Sequence, residues 1–407
     1  SKTENFVLEW KFVSETLPVS NSSLSSLKTV EICGTFGDSV LPSIEHCIST
    51  LLKWRREKKL EHAKQVHVQL CLMGLEDHID IANQLLLIFV DCWNLSFAEQ
   101  IIERLTFRNE QSWTSIILGC TQNGDSLYAF HLYKRMLNDN VSPSNYTYTS
   151  LLRACAAVKN LEMGRDLHSE IVQKAFECDL FVGNTIVYMY TKCKSLSEAW
   201  ETFSTLPAHN VVCWTAIISG YAENGCHQGV LDLFQQMEDD HILPNYWTLA
   251  CVLRTCGILC NIDKGRKIHS EAILRGFEDD PYIGNALVYM YANTGSISES
   301  RKVFDNLQFR DIVAWNILIG GYSDCGLDKE VLRLFDEMHF HIVVPSAATF
   351  AYVVKACSSL GLIEKGFEAH KGIIQIAAES DPSITNCLIG LYSGCGFFSE
   401  AVQIFGQ

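Results

Sequence analysis

Two triplets invite a catalytic reading: His168-Ser169-Glu170 and His269-Ser270-Glu271. H-x-E opens the zinc deaminase signature, with the His as metal ligand and the Glu as proton carrier. That site also needs P-C-x-x-C to complete the zinc. The chain has 17 cysteines but no C-x-x-C, which also argues against zinc ribbons and thioredoxin-like chemistry. Cys251, Cys256 and Cys260 cluster on and just after one expected helix, without a matching second pair. No P-loop, Rossmann glycine pattern, G-x-S-x-G or H-E-x-x-H occurs. The residues therefore assign no catalytic group, no metal, no cofactor and no small-molecule substrate.

A second chemistry is that of amides. Asn83, Asn184, Asn285 and Asn386 stand at a constant step of 101 residues. An amide carries both donor and acceptor and suits the polar edge of a ligand; a single Asn serves equally well as a helix cap. Four at one step indicate a role set by an internal repeat. The step is shared by Trp113, Trp214 and Trp315, by Pro42, Pro143, Pro244 and Pro345, and by His67, His168, His269 and His370. Cys155, Cys256 and Cys357 keep it, as do Cys92, Cys193 and Cys395, with Thr294 filling the gap. Those thiols read as small apolar packers on helix faces, in a reducing compartment.

The elements that position these residues are helical hairpins. In Val211–Asn245, Trp214, Ile217, Ile218 and Tyr221 make one apolar stripe, and Val230, Leu231, Phe234 and Met237 a second. Glu223-Asn224-Gly225 breaks the chain between them and Pro244 closes the unit. Three hairpins of 35, 31 and 35 residues fill each 101. Units of 35 begin at Ile44, Asn145, Tyr246 and Ala347; units of 31 at Ile79, Leu180, Pro281 and Pro382; units of 35 with the Trp fourth at Glu110, Val211 and Ile312. Residues 44–407 thus form eleven units, the last incomplete, and residues 1–43 a degenerate cap with a flexible segment around Pro18–Ser23. The expected fold is all-α: about 22 helices in one solenoid, stabilised by neighbour-to-neighbour packing. The longest aliphatic-aromatic run, Leu85–Val90, is six residues, far short of a membrane span.

The pattern resembles the pentatricopeptide repeat family of plants, specifically its PLS class. Trp315-Asn316-Ile317-Leu318-Ile319-Gly320-Gly321-Tyr322, Gly284-Asn285-Ala286-Leu287-Val288-Tyr289-Met290-Tyr291, Gly265-Arg266-Lys267-Ile268-His269 and Ala154-Cys155-Ala156 carry the resemblance, with the alternation of 35, 31 and 35. Tetratricopeptide repeats would keep a strict 34-residue period. The resemblance implies a right-handed superhelix in a mitochondrion or chloroplast that binds single-stranded RNA, one base per unit. The base is read by the fifth residue of the first helix together with the last residue of the unit.

By that code Asn83 with Asn109 and Asn184 with Asn210 favour pyrimidines, Asn285 with Asp311 uridine, Thr215 with Asn245 adenine, Asn316 with Ser346 cytosine and Thr149 with Asp179 guanine. Thr114 with Ser144 assigns no single base; Ile48 with His78, Ala250 with Asp280 and Ala351 with Asp381 are not legible pairs. The family's second position sandwiches bases, and Tyr146, Phe181, Val212, Trp247, Tyr282 and Val313 fit it, whereas Glu45, Asp80, Gln111 and Ser383 do not. Residues 145–346 are therefore the expected RNA seat.

Charge pulls the other way. The chain carries a net charge of −15, and nucleic-acid binders usually show basic excess. At the thirteenth position, where the family often places a phosphate-facing Lys, the aromatic units have Gln122, Glu223 and Asp324; elsewhere only Arg56 and Lys192 are basic. Weak RNA affinity follows. The leading expectation is site recognition in organellar RNA processing, most typically C-to-U editing with catalysis supplied elsewhere. The alternative is a non-catalytic scaffold held by protein contacts in a large organellar assembly.

Overall fold

The structure, a computed structural model, describes residues 48–49, 51–53, 67, 78–92, 94–176, 179–378 and 381–406. The expected cap at residues 1–43, with Pro42, lies outside them, as do Glu45 and Arg56. From residue 78 onward the described residues form twenty helices and no strand. Ten are first helices: α1 (Ile79–Asp91), α3 (Glu110–Gln122), α5 (Asn145–Val158), α7 (Leu180–Lys192), α9 (Val211–Glu223), α11 (Tyr246–Ile258), α13 (Pro281–Asn293), α15 (Ile312–Asp324), α17 (Ala347–Leu360) and α19 (Pro382–Gly394). Each is followed by its second helix: α2 (Leu95–Arg104), α4 (Ser126–Asn138), α6 (Leu161–Gln173), α8 (Leu196–Thr205), α10 (His227–Asp239), α12 (Ile262–Leu274), α14 (Ile297–Asn306), α16 (Asp328–Phe340), α18 (Ile363–Gln375) and α20 (Phe398–Phe405). In the shorter units the second helix loses a turn: α2, α8 and α14 have 10 residues where α4, α10 and α16 have 13.

The turns explain the hairpins. Gly124, Gly225 and Gly326 each take positive φ just after a first helix, a left-handed stop that glycine adopts without penalty. Lys159 and Lys194 do the same work at φ 56° and 64°, where a side chain makes the conformation costlier.

Packing then builds an all-α solenoid. Every first helix packs closely against the first helix of the next unit, whereas the backbones of consecutive second helices stand farther apart and are joined by long side chains, as in Arg165–Glu198 and Arg301–Glu337. The stack is tighter on its first-helix side, which therefore forms the inner, concave face. Trp113, Trp214 and Trp315 are fully buried; Trp214 meets Phe203 edge-on at 4.8 Å and Trp315 meets Phe304 at 4.7 Å. The apolar core runs the length of the array, with α13 contributing to both of its halves. Among the described residues no helix is long and apolar enough to cross a membrane.

The histidines and cysteines of the 101-residue step are packing elements. His168, His269 and His370 each share a hydrogen bond through Nδ1 with a tyrosine hydroxyl of the next first helix, Tyr190, Tyr291 and Tyr392, at 2.9, 2.9 and 2.6 Å. The H-x-E triplets are thus unit-to-unit ties. Burial pushes the Cys155 thiol up to about 12 and those of Cys256 and Cys357 to about 11, which keeps them protonated and inert. No group of three or more His, Cys, Asp or Glu among the described residues could hold a metal ion.

Candidate nucleic-acid interface

The last residue of each unit is the N-cap of the next first helix. Asn109 accepts from the Ser112 amide, Ser144 from Thr147, Asp179 from Phe181 and Val182, Asn210 from Val212 and Cys213, Asn245 from Thr248, Asp311 from Ala314, and Ser346 from Thr349. Capping satisfies an otherwise orphaned helix N–H, so these residues would be selected as caps even without a ligand. They remain half-buried or exposed.

The fifth residue of a unit reaches toward that cap. Asn83 donates through Nδ2 to Asn109 Oδ1 at 3.3 Å, Asn285 to both carboxylate oxygens of Asp311 at 3.3 Å, and Asn316 to Ser346 Oγ at 2.9 Å. A residue that sequence reasoning missed decides how freely the fifth side chain can act: the third residue of the next first helix. Thr114 and Thr215 share hydroxyl hydrogen bonds with Thr147 and Thr248 at 2.6 and 2.8 Å, and Thr349 donates to Asn316 Oδ1 at 2.6 Å. Ser112 donates to Asn83 Oδ1 at 2.7 Å. Where that third residue is Cys213, its thiol turns to the Asn210 cap, and Asn184 Oδ1 is left buried with no partner among the described residues. Where it is Ala314 there is no side-chain polar group to offer.

Exposure sorts the fifth residues. Asn83, Thr114, Thr149 and Thr215 are 1–4% exposed, whereas Asn184, Asn285 and Asn316 are half-buried. Thr149 Oγ1 is spent on the Tyr146 carbonyl at 2.9 Å. A base would meet the Thr215 unit mainly through Asn245 and through the space a small side chain leaves.

At the second position Tyr146, Phe181 and Tyr282 are 40, 41 and 44% exposed, and Val212, Trp247 and Val313 are half-buried. Tyr146 and Phe181 lie 6.4 Å apart between ring centroids, Trp247 and Tyr282 4.6 Å apart. A base between two rings needs about 7 Å, twice the carbon–carbon contact distance. The first pair has close to that spacing but is tilted by 54°, so the rings would have to turn to flank a base; the second is closed on itself.

The basic groups are arranged differently from expectation. Lys192 is ion-paired with Glu223, the acid at the same position of the next unit. Arg153, Arg254 and Lys355, each four residues beyond a fifth position and so on its helix face, repeat at 101. Arg153 lies over the Phe181 ring at 6.0 Å, and burial lowers its pKa; Arg254 lies over the Tyr289 ring at 5.6 Å. The 101-residue step applied to basic residues is the signal that finds them.

A PPR repeat family model matches residues 108–157, 209–257 and 310–359, and a PPR repeat model matches 146–176 and 383–407. The chain is 33% identical to the Arabidopsis thaliana pentatricopeptide repeat-containing protein At2g33680 over 84% of its own length and 47% of that protein's. It is 31% identical to the chloroplastic Arabidopsis thaliana protein At4g18520, covering 88% of this chain and 58% of the relative. With the mitochondrial Arabidopsis thaliana protein At2g03380 it shares 33% identity, covering 85% and 50%. The chain therefore spans about half the length of the curated relatives it matches. In fold it is similar to the crystal structure of the pentatricopeptide repeat protein PPR10 from maize, with a TM-score of 0.66 at 17% identity over 90% of this chain and 58% of that one. The structure of PPR10 in complex with an 18-nt psaJ RNA element gives a TM-score of 0.66 at 17% identity, covering 90% and 60%.

Proposed function

Because the chain belongs to the pentatricopeptide repeat family, whose chloroplastic and mitochondrial relatives place it in a plant organelle, we propose that its first-helix face reads single-stranded RNA, one base per unit. The observation that carries this reading is the recurrent meeting of a fifth-position side chain with the cap of the following helix, as in Asn285 with Asp311 and Asn316 with Ser346. Each meeting presents a distinct donor and acceptor pair at the edge of the groove, a form suited to unstacked bases. Exposed Tyr146, Phe181 and Tyr282 supply stacking surface, and Arg153, Arg254 and Lys355 supply positive charge on the same face.

We assign the chain to the PLS class, with eleven units in residues 44–407 and a cap in 1–43, and its task to choosing the site for C-to-U editing while the chemistry is done elsewhere. From Asn145 onward the order is guanine, pyrimidine, adenine, any base, uridine, cytosine, running 5′ to 3′. The test is the paired exchange Thr215→Asn with Asn245→Asp. Thr248 stands to Thr215 as Thr349 stands to Asn316, so an Asn fits there in an arrangement the chain already uses. Preference at that base moves from adenine toward uridine by about fivefold or more, the lower end of the ~1–3 kcal/mol a good base contact supplies. Unchanged preference in a chain that still binds RNA would make the groove a nonspecific RNA holder. No RNA binding at low salt would leave the scaffold role, which the net charge of −15 and the Lys192–Glu223 pair favour.

A further inference from the structure

Between α8, α9 and α10, away from the first-helix face, lies a cavity of about 290 Å³ lined by Trp200, Phe203, His209, Trp214, Asp239 and Asp240. The repeat supplies two internal controls, because each of these positions recurs 101 residues earlier and later. In the earlier copy Arg108 stands where His209 stands. It donates through Nε to the Ile102 carbonyl at 2.7 Å, pairs with Asp139 at 3.3 Å and lies 5.9 Å from the Trp113 ring centroid. In the later copy Arg310 donates to the Phe304 carbonyl at 3.0 Å and lies over the Phe304 ring at 5.3 Å. A guanidinium of the chain itself occupies the seat in both.

In the middle copy the shorter His209 reaches the equivalent carbonyl, that of Phe203, at 2.8 Å and stacks on the Phe203 ring at 4.3 Å. No Lys or Arg stands among the described residues that line the remaining volume. Asp240, the counterpart of Asp139, forms no ion pair among the described residues. Arg135, which covers Trp113 at 5.6 Å, is replaced by Gln236. The cavity also opens at the C-terminal ends of α8 and α10, where the helix dipoles favour positive charge. Aromatic faces with two carboxylates suit a planar guanidinium better than a compact ammonium, and the volume accommodates one side chain rather than a larger ligand.

We infer that this cavity is a docking site for an arginine side chain of a partner protein, replacing the arginine that the other two copies carry in cis. The acidic rim opposes RNA phosphate, and the position on the second-helix side leaves the groove free for RNA.

The test uses the whole 407-residue chain labelled with 5-fluorotryptophan, with Trp200→Phe and Trp214→Phe to assign the fluorine resonances. N-acetyl-L-arginine amide should move the Trp200 and Trp214 resonances saturably in the millimolar range, and the uncharged N-acetyl-L-citrulline amide should bind about fivefold more weakly or worse. His209→Arg restores the arrangement of the other copies and should abolish the titration while leaving the melting temperature equal or higher. Asp240→Asn, which leaves His209 in place, should weaken it severalfold. The inference is overturned if citrulline amide titrates equally, if His209→Arg binds like the parent, or if neither resonance moves at about 20 mM arginine amide.

Discussion

Asp311 is asked to do two things, and two substitutions separate them. Its carboxylate caps α15 by accepting from the Ala314 amide at 2.8 Å, and it accepts from Asn285 Nδ2 at 3.3 Å. Asp311→Asn keeps an oxygen in the cap. It loses only the attraction of a carboxylate to the helix N-terminus, about 0.3–1 kcal/mol. Asp311→Ala loses the cap bond as well, about 0.5–2 kcal/mol in all. In binding, the Asn285 unit passes from an Asn–Asp pair to an Asn–Asn pair, which in the proposed code relaxes uridine to either pyrimidine. A contact of ~1–3 kcal/mol at the base edge sets the uridine-to-cytosine ratio of the parent at about fivefold or more, and Asp311→Asn should bring it near unity. The assay pairs urea unfolding with titration of short RNAs that differ at one base, at fixed salt because salt alone shifts affinity strongly. If Asp311→Asn keeps the parent ratio while folded, Asp311 is a cap and nothing more.

Three further outcomes follow from the same geometry. Glu223→Gln frees Lys192 from its partner; stability should move by less than about 1 kcal/mol, while RNA affinity rises at low salt and the slope of log affinity against log salt steepens by about one. Tyr282→Ala should lose the ~1–3 kcal/mol of one base stack and Tyr282→Phe should not; equal affinities in all three would show that no base stacks on the exposed side of Tyr282. Trp315→Ala removes a fully buried ring packed on Phe304, costing about 3–5 kcal/mol. Because units contact only their neighbours, hydrogen exchange should accelerate most in α14–α16, and uniform acceleration across the array would refute local stabilisation.

The helical hairpins were legible because one apolar stripe per helix, Trp214-Ile217-Ile218-Tyr221 and its counterparts, leaves little choice of period. Ten first helices open at the residues from which the 31- and 35-residue units are counted, since each is preceded by Asn, Asp, Ser or, once, His in the capping place. The polar neighbours of the fifth residues were not legible. Whether Thr215 is free depends on Thr248, 33 residues away and on another helix, and nothing in the Thr215 segment announces it. Lys192 reads as a phosphate contact until folding brings Glu223 against it. Arg153, Arg254 and Lys355 were open to view through the 101-residue step, but a search confined to the thirteenth position passes over them. His209 likewise differs from Arg108 and Arg310 in plain sequence, yet the cavity it leaves exists only once α8, α9 and α10 are packed.

The most direct measurement is the affinity of the unaltered chain for a short single-stranded RNA carrying guanine, pyrimidine, adenine, any base, uridine and cytosine in that order, compared with the same bases in reverse order. Both titrations belong at one low salt concentration. The account predicts measurable binding of the first and about fivefold or weaker binding of the second, the difference one good base contact already supplies. Equal affinities would contradict base reading along the groove, and no binding of either RNA would contradict RNA recognition by this array altogether.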